Sequence, residues 1–480
     1  MNQKTLDMKI EQIYTGCLAQ GAYYVESRGE AVIIDPLREI EPYVEKAKKD
    51  GARIKYVLET HFHADFVSGH IDLAKATGAT IVYGPTAAPA FPAHIALDGE
   101  ILQVGDLTIR VIHTPGHTME STCYLLKDDQ GRDVALFSGD TLFIGDVGRP
   151  DLAQKVVADL TQEKLASHLF DSLRNKIMPL SDDIVVYPAH GAGSACGKNM
   201  SRETSDTLGH QKRTNYALRP DMTRPEFIRE VLSGLVNPPG YFPMNVMMNI
   251  KGYDSIDNVL ERGRQALAPA AFEAAANETG ALILDTRSPQ TFKDAFIPNS
   301  INIGIDGTFA PWLGTLVPDV NQQILLVADP GREEEVVTRM ARVGYDHCIG
   351  YLAGGIDAWL KAGKETDSIR SIDAEELSAI MEMDSYACIL DVRKKSEFDS
   401  EHIMDAVNAP LDFINDSMAR IDRNRTCYVH CAGGYRSMVF VSILRARGFD
   451  NLVDVAGGFK TLKESGRFKL TDYVCPTTML

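Results

Sequence analysis

Apolar segments separated by polar turns alternate with amphipathic stretches along the first half of the chain. Residues 31–34 and 54–58 are largely apolar runs, which are typical of buried strands. Residues 39–50 have one apolar face and predict a helix, and a second helix is predicted over 68–77 with Ser68 as its N-cap. Strands interleaved with helices in this way predict an α/β fold.

The second half of the chain contains an internal repeat. Residues 281–287 recur as residues 387–393, and the later Ala-Gly-Gly turn at 353–355 recurs at 456–458. A period of roughly a hundred residues indicates two copies of one α/β domain. We therefore expect three domains, with the boundaries 1–265, 266–366 and 367–480.

Charge and composition narrow the classes of function. The net charge of -17 argues against nucleic acids and anionic membranes as partners. The first residues lack the apolar core of a secretion signal, and no run of about 18 apolar residues occurs, so we expect a cytoplasmic protein without a membrane span. The eight cysteines are too few for a disulfide scaffold and are more typical of buried or catalytic thiols.

Side chains of the kind that bind metals follow four predicted strands, at the point where each strand ends. They are His61, His63, Asp65, His117, Asp140 and His190. Imidazole and carboxylate are ligands for zinc and for iron. A histidine-rich surface turn would account for His61 and His63 alone, but not for the four strand ends together. The sequence therefore predicts a metal site.

The order of these residues resembles the metallo-β-lactamase superfamily over about residues 8–265. Residues 139–143, 148–151 and 17–24 are similar to the persulfide dioxygenase branch of that superfamily. The resemblance implies an αββα sandwich that carries the metal site.

Phe66 separates two kinds of metal site. Dinuclear hydrolases of the superfamily carry the pattern His-x-His-x-Asp-His, and here Phe66 takes the place of the last histidine. Phenylalanine cannot bind a metal, so a site for a single metal ion follows more naturally. In the dioxygenase branch the resemblance implies one Fe(II) per chain, held by His61, His117 and Asp140.

His63, Asp65 and His190 are not assigned as ligands of the iron. The resemblance implies that His63, Asp65 and His190 orient the ligands and water through hydrogen bonds. In zinc hydrolases of the superfamily the residue at His63 binds the metal itself, so zinc with His63 as a ligand stays the alternative.

The loop after His190 is a candidate substrate-binding segment. It is rich in small residues, which allow the backbone to approach a ligand closely. Lys198, Arg202 and also Arg149 are candidates to bind the carboxylates or phosphates of an anionic thiol. Cys196 lies in the same loop, either as a thiol that carries or senses a persulfide or as a plain buried thiol.

Both repeats resemble rhodanese domains, and the second has the residues for sulfur chemistry. Cys431 lies between a predicted strand and a helix predicted over 437–447, and its C-x4-R spacing to Arg436 is the rhodanese loop size. Backbone N–H groups, the helix dipole and Arg436 favour the thiolate and would cradle a persulfide. Phosphatases that resemble this fold use C-x5-R, so sulfur transfer is favoured over phosphate chemistry. The other residues of this cradle are Ala432, Gly433, Gly434, Tyr435 and Ser437.

The first repeat is expected to be inactive. We interpret Asp329 as the residue at the position of the cysteine. The loop is interpreted as short compared with that of the second repeat, and three glutamates follow it. Carboxylates there would repel thiosulfate and persulfide anions.

The whole arrangement resembles a persulfide dioxygenase fused to an inactive and an active rhodanese domain. The resemblance implies oxidation of a thiol persulfide by O₂ to sulfite, and sulfur transfer through Cys431 that forms or uses thiosulfate. The thiol carrier stays open among glutathione, coenzyme A, bacillithiol and sulfide-derived persulfides. Family members commonly self-associate, so a homodimer or homotetramer is expected.

Two alternatives remain at this point. One is a dinuclear zinc thioester hydrolase of the glyoxalase II type with attached rhodanese modules. The other is a sulfur-carrier scaffold that hands a persulfide from Cys431 to a partner protein.

Overall fold

Four β-sheets organise the described part of the chain. The computed structural model describes residues 8–152, 160–235 and 237–475. Their contacts divide them into two units, one extending to Asp257 with Met340–Gly344 and the other comprising Asn258–Arg339 and the residues from Tyr345 onward. The predicted domain boundaries at 265 and 366 are not resolved by this division.

The first sheet of the first unit has six strands in sequential order. They are β1 (Lys9–Thr15), β2 (Gln20–Ser27), β3 (Glu30–Ile34), β4 (Arg53–Leu58), β5 (Thr80–Tyr83) and β6 (His94–Ile95). The first three are antiparallel and the later ones parallel. Alternate side chains of β2 enter two different cores, Tyr23 and Val25 on one face and Ala22 and Tyr24 on the other. A strand covered on both faces explains why these stretches are continuously apolar.

The second sheet packs face to face on the first. Its strands are β7 (Ile101–Val104), β8 (Leu107–His113), β9 (Thr122–Lys127), β10 (Asp133–Gly139), β11 (Val185–Pro188) and β12 (Asp206–Thr207), in the order β12-β11-β10-β9-β8-β7. Val25 and Val32 of the first sheet share a core with Ile109 and Leu126 of the second. Helices cover the outer faces, for example through Leu169. This is the predicted αββα sandwich.

Six helices accompany these strands among the described residues, and a seventh begins at the end of the first unit and continues into the second. They are α1 (Glu41–Asp50), α2 (His70–Thr77), α3 (Gln162–Ser172), α4 (Leu208–Thr214), α5 (Arg224–Leu232), α6 (Phe242–Lys251) and α7 (Ile256–Gly263). A π-helical turn, Leu173–Ile177, continues α3, and a 3-10 turn, Tyr216–Leu218, follows α4.

The predicted cap at Ser68 is wrong. Helix α2 begins at His70 with Gly69 at the N-cap. The Ser68 hydroxyl oxygen instead lies 2.6 Å from Glu59 Oε1 and 2.9 Å from the carbonyl oxygen of Pro36, within hydrogen-bond distance of both. Ser68 therefore ties strand ends together rather than capping the helix.

The second unit contains two parallel sheets with the same topology. The first consists of β13 (Ala266–Leu267), β14 (Leu282–Asp285), β15 (Ile301–Asn302), β16 (Ile324–Val327) and β17 (Cys348–Leu352), in the order β13-β17-β16-β14-β15. The second consists of β18 (Ser371–Ile372), β19 (Cys388–Asp391), β20 (Val407–Asn408), β21 (Cys427–His430) and β22 (Leu452–Val455), in the order β18-β22-β21-β19-β20. The matching orders confirm the internal repeat.

Ten helices belong to these two sheets in the described residues. They are α8 (Pro269–Thr279), α9 (Pro289–Phe292), α10 (Phe309–Leu316), α11 (Glu333–Ala341), α12 (Gly355–Lys361), α13 (Ala374–Met383), α14 (Lys395–Ser400), α15 (Ile414–Met418), α16 (Tyr435–Ala446) and α17 (Gly458–Ser465). A 3-10 turn, Leu411–Phe413, precedes α15. Among all described helices, none has the length and apolar character needed to cross a bilayer.

Helix α16 is buried over most of its length. It packs on β21 and β22 of its own sheet and on β15 of the preceding repeat, which explains its run of apolar residues. Ser442 in this helix accepts a hydrogen bond from the backbone N–H of Asn302 in β15 at 2.9 Å. The two repeats are therefore joined through the helix that follows the predicted sulfur-binding loop.

Candidate metal centre and sulfur-binding loop

Three strand ends of the αββα sandwich bring two histidines and an aspartate together. His61 follows β4, His117 follows β8 and Asp140 follows β10. Asp140 Oδ2 lies 3.4 Å from His117 Nε2 and 3.9 Å from His61 Nε2. One ligand atom from each residue lies within 4.8 Å of the others, and all three residues are buried.

Hydrogen bonds to the far side of each imidazole orient both rings. His117 Nδ1 lies 2.8 Å from the carbonyl of Arg149, so it donates and leaves the lone pair on Nε2. Thr60 Oγ1 donates to Asp35 Oδ2 at 2.9 Å and therefore accepts from His61 Nδ1 at 3.0 Å. Both histidines thus present Nε2 as a lone-pair donor, as ligands of a metal must.

The unpartnered atoms of this group fit a metal ion. His61 Nε2 and Asp140 Oδ2 are buried and have no hydrogen-bond partner within the described residues. Leaving such atoms unpaired is costly, and a cation would satisfy both. Burial also lowers the pKa of His61 well below its usual range, which keeps the ring neutral. Two imidazoles and one carboxylate suit iron or zinc.

His190 fixes the carboxylate of this group. His190 Nδ1 lies 2.8 Å from Asp140 Oδ1, and its Nε2 lies 2.8 Å from Asp65 Oδ2. Burial opposes protonation of the ring, but the carboxylates of Asp140 and Asp65 outweigh it and raise the pKa of His190 well above its usual range. A protonated His190 has no lone pair for a metal, and it directs the second oxygen of Asp140 toward His61 and His117.

His63 belongs to a second buried group beside the first. Its Nε2 lies 3.0 Å from Asp35 Oδ1 and 3.6 Å from Glu59 Oε2. Burial and the neighbouring Asp35 raise the pKa of Glu59 well above its usual range. The His63 ring packs on Phe66, with ring centroids 4.3 Å apart. The His63 ring lies 4.2 Å from the ring of His61, but its Nε2 contacts Asp35 and Glu59 rather than Asp140.

The loop predicted to bind sulfur consists of residues 431–434, between β21 and α16. We refer to it as the sulfur-binding loop. Cys431 is buried, and its Sγ accepts a hydrogen bond from the backbone N–H of Gly434 at 3.1 Å. The carbonyl of Cys431 accepts from the N–H of Phe459 at 2.6 Å. Gly458 has a φ of +59°, and a Cβ there would lie only 2.5 Å from that carbonyl oxygen. The glycine turn at the start of α17 therefore packs directly against the backbone of the loop and donates a hydrogen bond to it.

The helix after this loop begins earlier than predicted. Helix α16 starts at Tyr435 rather than at residue 437, so Tyr435, Arg436 and Ser437 form its first turn. The Arg436 guanidinium is bound to Glu397 through two contacts of 2.6 and 2.9 Å. Arg436 is thus held at the loop by a carboxylate that partly offsets its charge.

Family comparisons match both halves of the chain. Residues 15–190 match the metallo-beta-lactamase superfamily, and residues 268–362 and 373–465 each match the rhodanese-like domain. The chain is a metallo-β-lactamase domain followed by two rhodanese-like domains. The predicted fold class is therefore confirmed in full.

Individual relatives fit this architecture. A crystal structure of a metallo-beta-lactamase from Staphylococcus aureus subsp. aureus COL is 31% identical, with a TM-score of 0.64, and covers 72% of this chain and 99% of its own. A hydroxyacylglutathione hydrolase of Francisella tularensis subsp. novicida (strain U112) is 34% identical over 169 residues, which are 35% of this chain and 61% of that relative's length. The chain thus spans less than two thirds of this relative. The structure of ETHE1 from Myxococcus xanthus covers 50% of this chain at 27% identity, with a TM-score of 0.43 that is too low to carry an inference.

The first rhodanese-like domain has alanine at the position of the cysteine. Asp285 pairs with Val327 as Asp391 pairs with His430, so the residue after Val327, Ala328, corresponds to Cys431. The interpretation that Asp329 stands there is wrong by one residue, because the strand register places Asp329 one residue beyond the position of Cys431. The loop is also not shorter, since five residues separate β16 from α11 and four separate β21 from α16. Without a thiol at this position, the loop of the first domain lacks the nucleophile that Cys431 provides in the second.

The predicted substrate-binding residues lie in different environments. Arg149 is 3% exposed, and its guanidinium contacts both oxygens of Asp151 at 2.7 Å and the carbonyl of Ala195 at 3.2 Å, so a role in substrate binding stays a prediction. The Lys198 ammonium donates to the carbonyls of Glu230 and Ser233 at the end of α5, where cations are favoured. Arg202 is exposed to solvent.

Cys196 lies beside the metal centre. It forms a third buried group with Asp65 and His190. Burial raises the pKa of the Cys196 thiol well above its usual range, so the group is a neutral thiol at physiological pH. This environment favours the plain buried thiol of the two interpretations that the sequence left open.

Sequence reasoning missed the residues that support the histidines. Thr60 and Asp35 orient His61, and Glu59 joins His63. Asp35 ends a predicted strand, as the ligand-type residues do, and that position was the signal available for it. Nothing in the sequence distinguished Thr60 or Glu59 from ordinary strand-end residues.

Proposed function

We propose that the metallo-β-lactamase domain uses one ferrous ion to oxidise a low-molecular-weight thiol persulfide with O₂ to sulfite. We further propose that the second rhodanese-like domain transfers sulfane sulfur through Cys431, which forms or uses thiosulfate. The observation that carries the first proposal is the group of His61, His117 and Asp140. One ligand atom of each lies within 4.8 Å of the others, and among the described residues His61 Nε2 and Asp140 Oδ2 have no hydrogen-bond partner. Phe66 stands where a second metal would need a ligand.

The residues around this group would hold the metal and keep its ligands aligned. A ferrous ion bound by two imidazoles and one carboxylate supplies open coordination positions for sulfur and for O₂. Thr60 and the carbonyl of Arg149 keep Nε2 of both histidines deprotonated. His190 restrains Asp140 and holds a proton between Asp140 and Asp65.

The rhodanese step is a transfer between two nucleophiles. The Cys431 thiolate attacks the outer sulfur of a persulfide R–S–SH, the S–S bond breaks, RS⁻ leaves, and a protein persulfide forms. Sulfite then attacks the outer sulfur of that persulfide, which yields thiosulfate and returns the Cys431 thiolate. The N–H of Gly434, which already reaches Cys431 Sγ, and the start of α16 would stabilise negative charge on the sulfur in both steps.

A second candidate function is hydrolysis of a thioester in the manner of glyoxalase II. The relative from Francisella tularensis is named a hydroxyacylglutathione hydrolase, and Asp65, His190 and Cys196 form a second group with ligand atoms close together. This function needs a second metal, zinc in the usual case, and a His63 ring turned away from Asp35. The present contacts of His63 favour the first proposal.

Further properties of the chain remain part of this proposal. Glutathione, coenzyme A, bacillithiol and sulfide-derived persulfides all stay candidate sulfur carriers. A homodimer or homotetramer in the cytoplasm is expected, and sizing chromatography with light scattering would measure the assembly directly.

The test combines metal analysis with two activity assays. Protein prepared without oxygen should contain one iron per chain and should consume O₂ with glutathione persulfide. Asp140→Asn should lose both the iron and the O₂ consumption. His113→Gln is a control that should keep both, because His113 contacts the carbonyl of Met119 outside the metal group. Cys431→Ser should lose thiosulfate formation and keep O₂ uptake. Two zinc ions per chain with thioester hydrolysis and no O₂ uptake would support the hydrolase instead.

A further inference from the structure

Two cysteines of the second rhodanese-like domain face each other on neighbouring strands. Cys388 is the first residue of β19 and Cys427 the first of β21, and the two are directly paired in the parallel register. Their sulfur atoms lie 2.6 Å apart. Adjacent strands lie about 4.8 Å apart, which falls within the range of Cα separations that a disulfide spans. A bond between these sulfurs would therefore need little movement of the backbone.

The fold itself does not require this pair. In the first rhodanese-like domain the same register positions hold Leu282 and Ile324, which are paired in the same way. Aliphatic side chains therefore occupy the corresponding positions of the first sheet, and the fold forms without cysteines there. Two facing cysteines in one copy and two aliphatic residues in the other indicate a chemical role for the thiols, in addition to packing.

The two thiols differ in access and in acidity. Cys388 is half-buried, and two nearby residues are exposed to solvent, Met383 at the end of α13 and Tyr386 in the turn before β19. The hydrogen bond from Cys427 lowers the pKa of Cys388 to about 7, with a further contribution from the charge of Arg425. The same contact, together with burial, raises the pKa of Cys427. Cys388 thus has the properties of an attacking thiolate, and Cys427 those of a thiol that attacks second.

This pair is separate from the nucleophile of the sulfur-binding loop. Cys427 begins β21 and Cys431 follows its last residue. Four residues of extended strand separate them by about 13 Å. Cys427 cannot reach a persulfide on Cys431 without unfolding of β21, so it does not act as a resolving thiol for that site.

We propose that Cys388 and Cys427 form a dithiol redox site that reduces small molecules containing a sulfur–sulfur bond and closes to a disulfide. With a persulfide R–S–SH, the Cys388 thiolate attacks the outer sulfur, the S–S bond breaks, and RS⁻ leaves. Cys427 then attacks the inner sulfur of the Cys388 persulfide, the new disulfide forms, and HS⁻ leaves. The two thiols together lose two electrons and two protons. The electrons reduce the sulfane sulfur to sulfide, and the protons are taken up by RS⁻ and HS⁻.

With a disulfide R–S–S–R the same site releases two thiols. Cys388 attacks one sulfur to form a mixed disulfide and expels the first RS⁻, and Cys427 resolves the mixed disulfide and expels the second. The two substrates share the S–S bond and differ in the product, because only the persulfide yields sulfide. Neither reaction involves the metal centre or Cys431.

The test is mass spectrometry of the whole chain after exposure to glutathione persulfide or to glutathione disulfide. We expect one cross-linked pair of peptides that contains Cys388 and Cys427 and is two hydrogens lighter than the two free peptides together. A sulfur that Cys431 gains from the persulfide is a separate increase in mass. The persulfide should release one sulfide per disulfide formed, and the disulfide two glutathiones. Cys388→Ser and Cys427→Ala should each abolish the cross-link, whereas Cys431→Ser should keep it.

Three results would overturn the proposal. One is free Cys388 and Cys427 thiols in the wild-type chain after a large excess of both oxidants. Another is a mixed disulfide on Cys388 that persists with Cys427 intact. The third is a cross-link that requires Cys431. Peptide mapping of the wild-type chain decides the question even if a variant fails to fold.

Discussion

Replacement of Gly458 by alanine should damage the sulfur-binding loop far more than the same change at Gly355. Both glycines have a φ of +59° and occupy corresponding turns of the two rhodanese-like domains. Alanine in this left-handed region costs about 1–2 kcal/mol, and this part of the penalty is the same in both. The two sites therefore form a matched pair that differs only in what the new methyl group meets.

The difference comes from the space behind each loop. A Cβ at Gly458 would lie 2.5 Å from the carbonyl oxygen of Cys431 and 2.8 Å from the carbonyl carbon of Ala432, whereas at Gly355 the nearest atom is the carbonyl oxygen of Ala328 at 3.3 Å. Overpacking against backbone costs about 1–3 kcal/mol. We expect local destabilisation of about 2–5 kcal/mol for Gly458→Ala and about 1–2 kcal/mol for Gly355→Ala.

Amide hydrogen exchange measures this local free energy directly. Each 1.4 kcal/mol changes an equilibrium about tenfold, so amides around Cys431 should exchange about 30- to 4,000-fold faster in Gly458→Ala. Amides around Ala328 should exchange only about 5- to 30-fold faster in Gly355→Ala. Sulfur transfer from thiosulfate should fall strongly in the first variant and little in the second, with O₂ uptake unchanged in both. Equal exchange in the two loops, or full sulfur transfer by Gly458→Ala, would refute the role assigned to this turn.

Three further changes test other parts of the structure. Tyr435→Phe removes the hydroxyl that donates to the carbonyl of Gly304 at 2.8 Å, and it should lower the free energy of unfolding by about 0.5–1.5 kcal/mol in denaturant titrations; no loss would contradict this. Alkylation of Cys388 by iodoacetamide should rise with pH through about 7, because the thiolate forms above that pKa, while Cys348, whose pKa burial raises to about 11, stays unmodified at pH 8; equal rates would be contrary to expectation. Phe66→His should raise the metal content above one ion per chain, and an unchanged content would show that Phe66 does not set the stoichiometry.

The sequence predicted the parts of this structure that depend on local pattern. Apolar runs ending in His61, His117 and Asp140 indicated strands that deliver ligands, and the structure brings these three residues together. The repeated Leu-Asp-x-Arg and Ala-Gly-Gly segments indicated two copies of one domain, which family comparison confirmed. Such features can be predicted because a buried strand requires consecutive apolar residues, and the ligand-type side chain follows that strand within a few residues.

Long-range contacts account for the errors. Ser68 was predicted as a helix cap, but the fold brings Glu59 and the carbonyl of Pro36 to its hydroxyl, and no spacing along the chain reveals that approach. The surroundings of Arg149 were equally hidden in the sequence, because its guanidinium contacts Asp151 and also the carbonyl of Ala195, which lies 46 residues further along the chain.

The turn behind the sulfur-binding loop is common to both rhodanese-like domains, whereas the thiol is not. Gly355 and Gly458 let this turn approach the backbone of the loop in each domain, so the glycine is a requirement of the fold. The fold does not require the cysteine, because Ala328 occupies the corresponding position in the first domain. The residue immediately after the strand, whose backbone that turn contacts, tells an experimenter which copy is worth assaying.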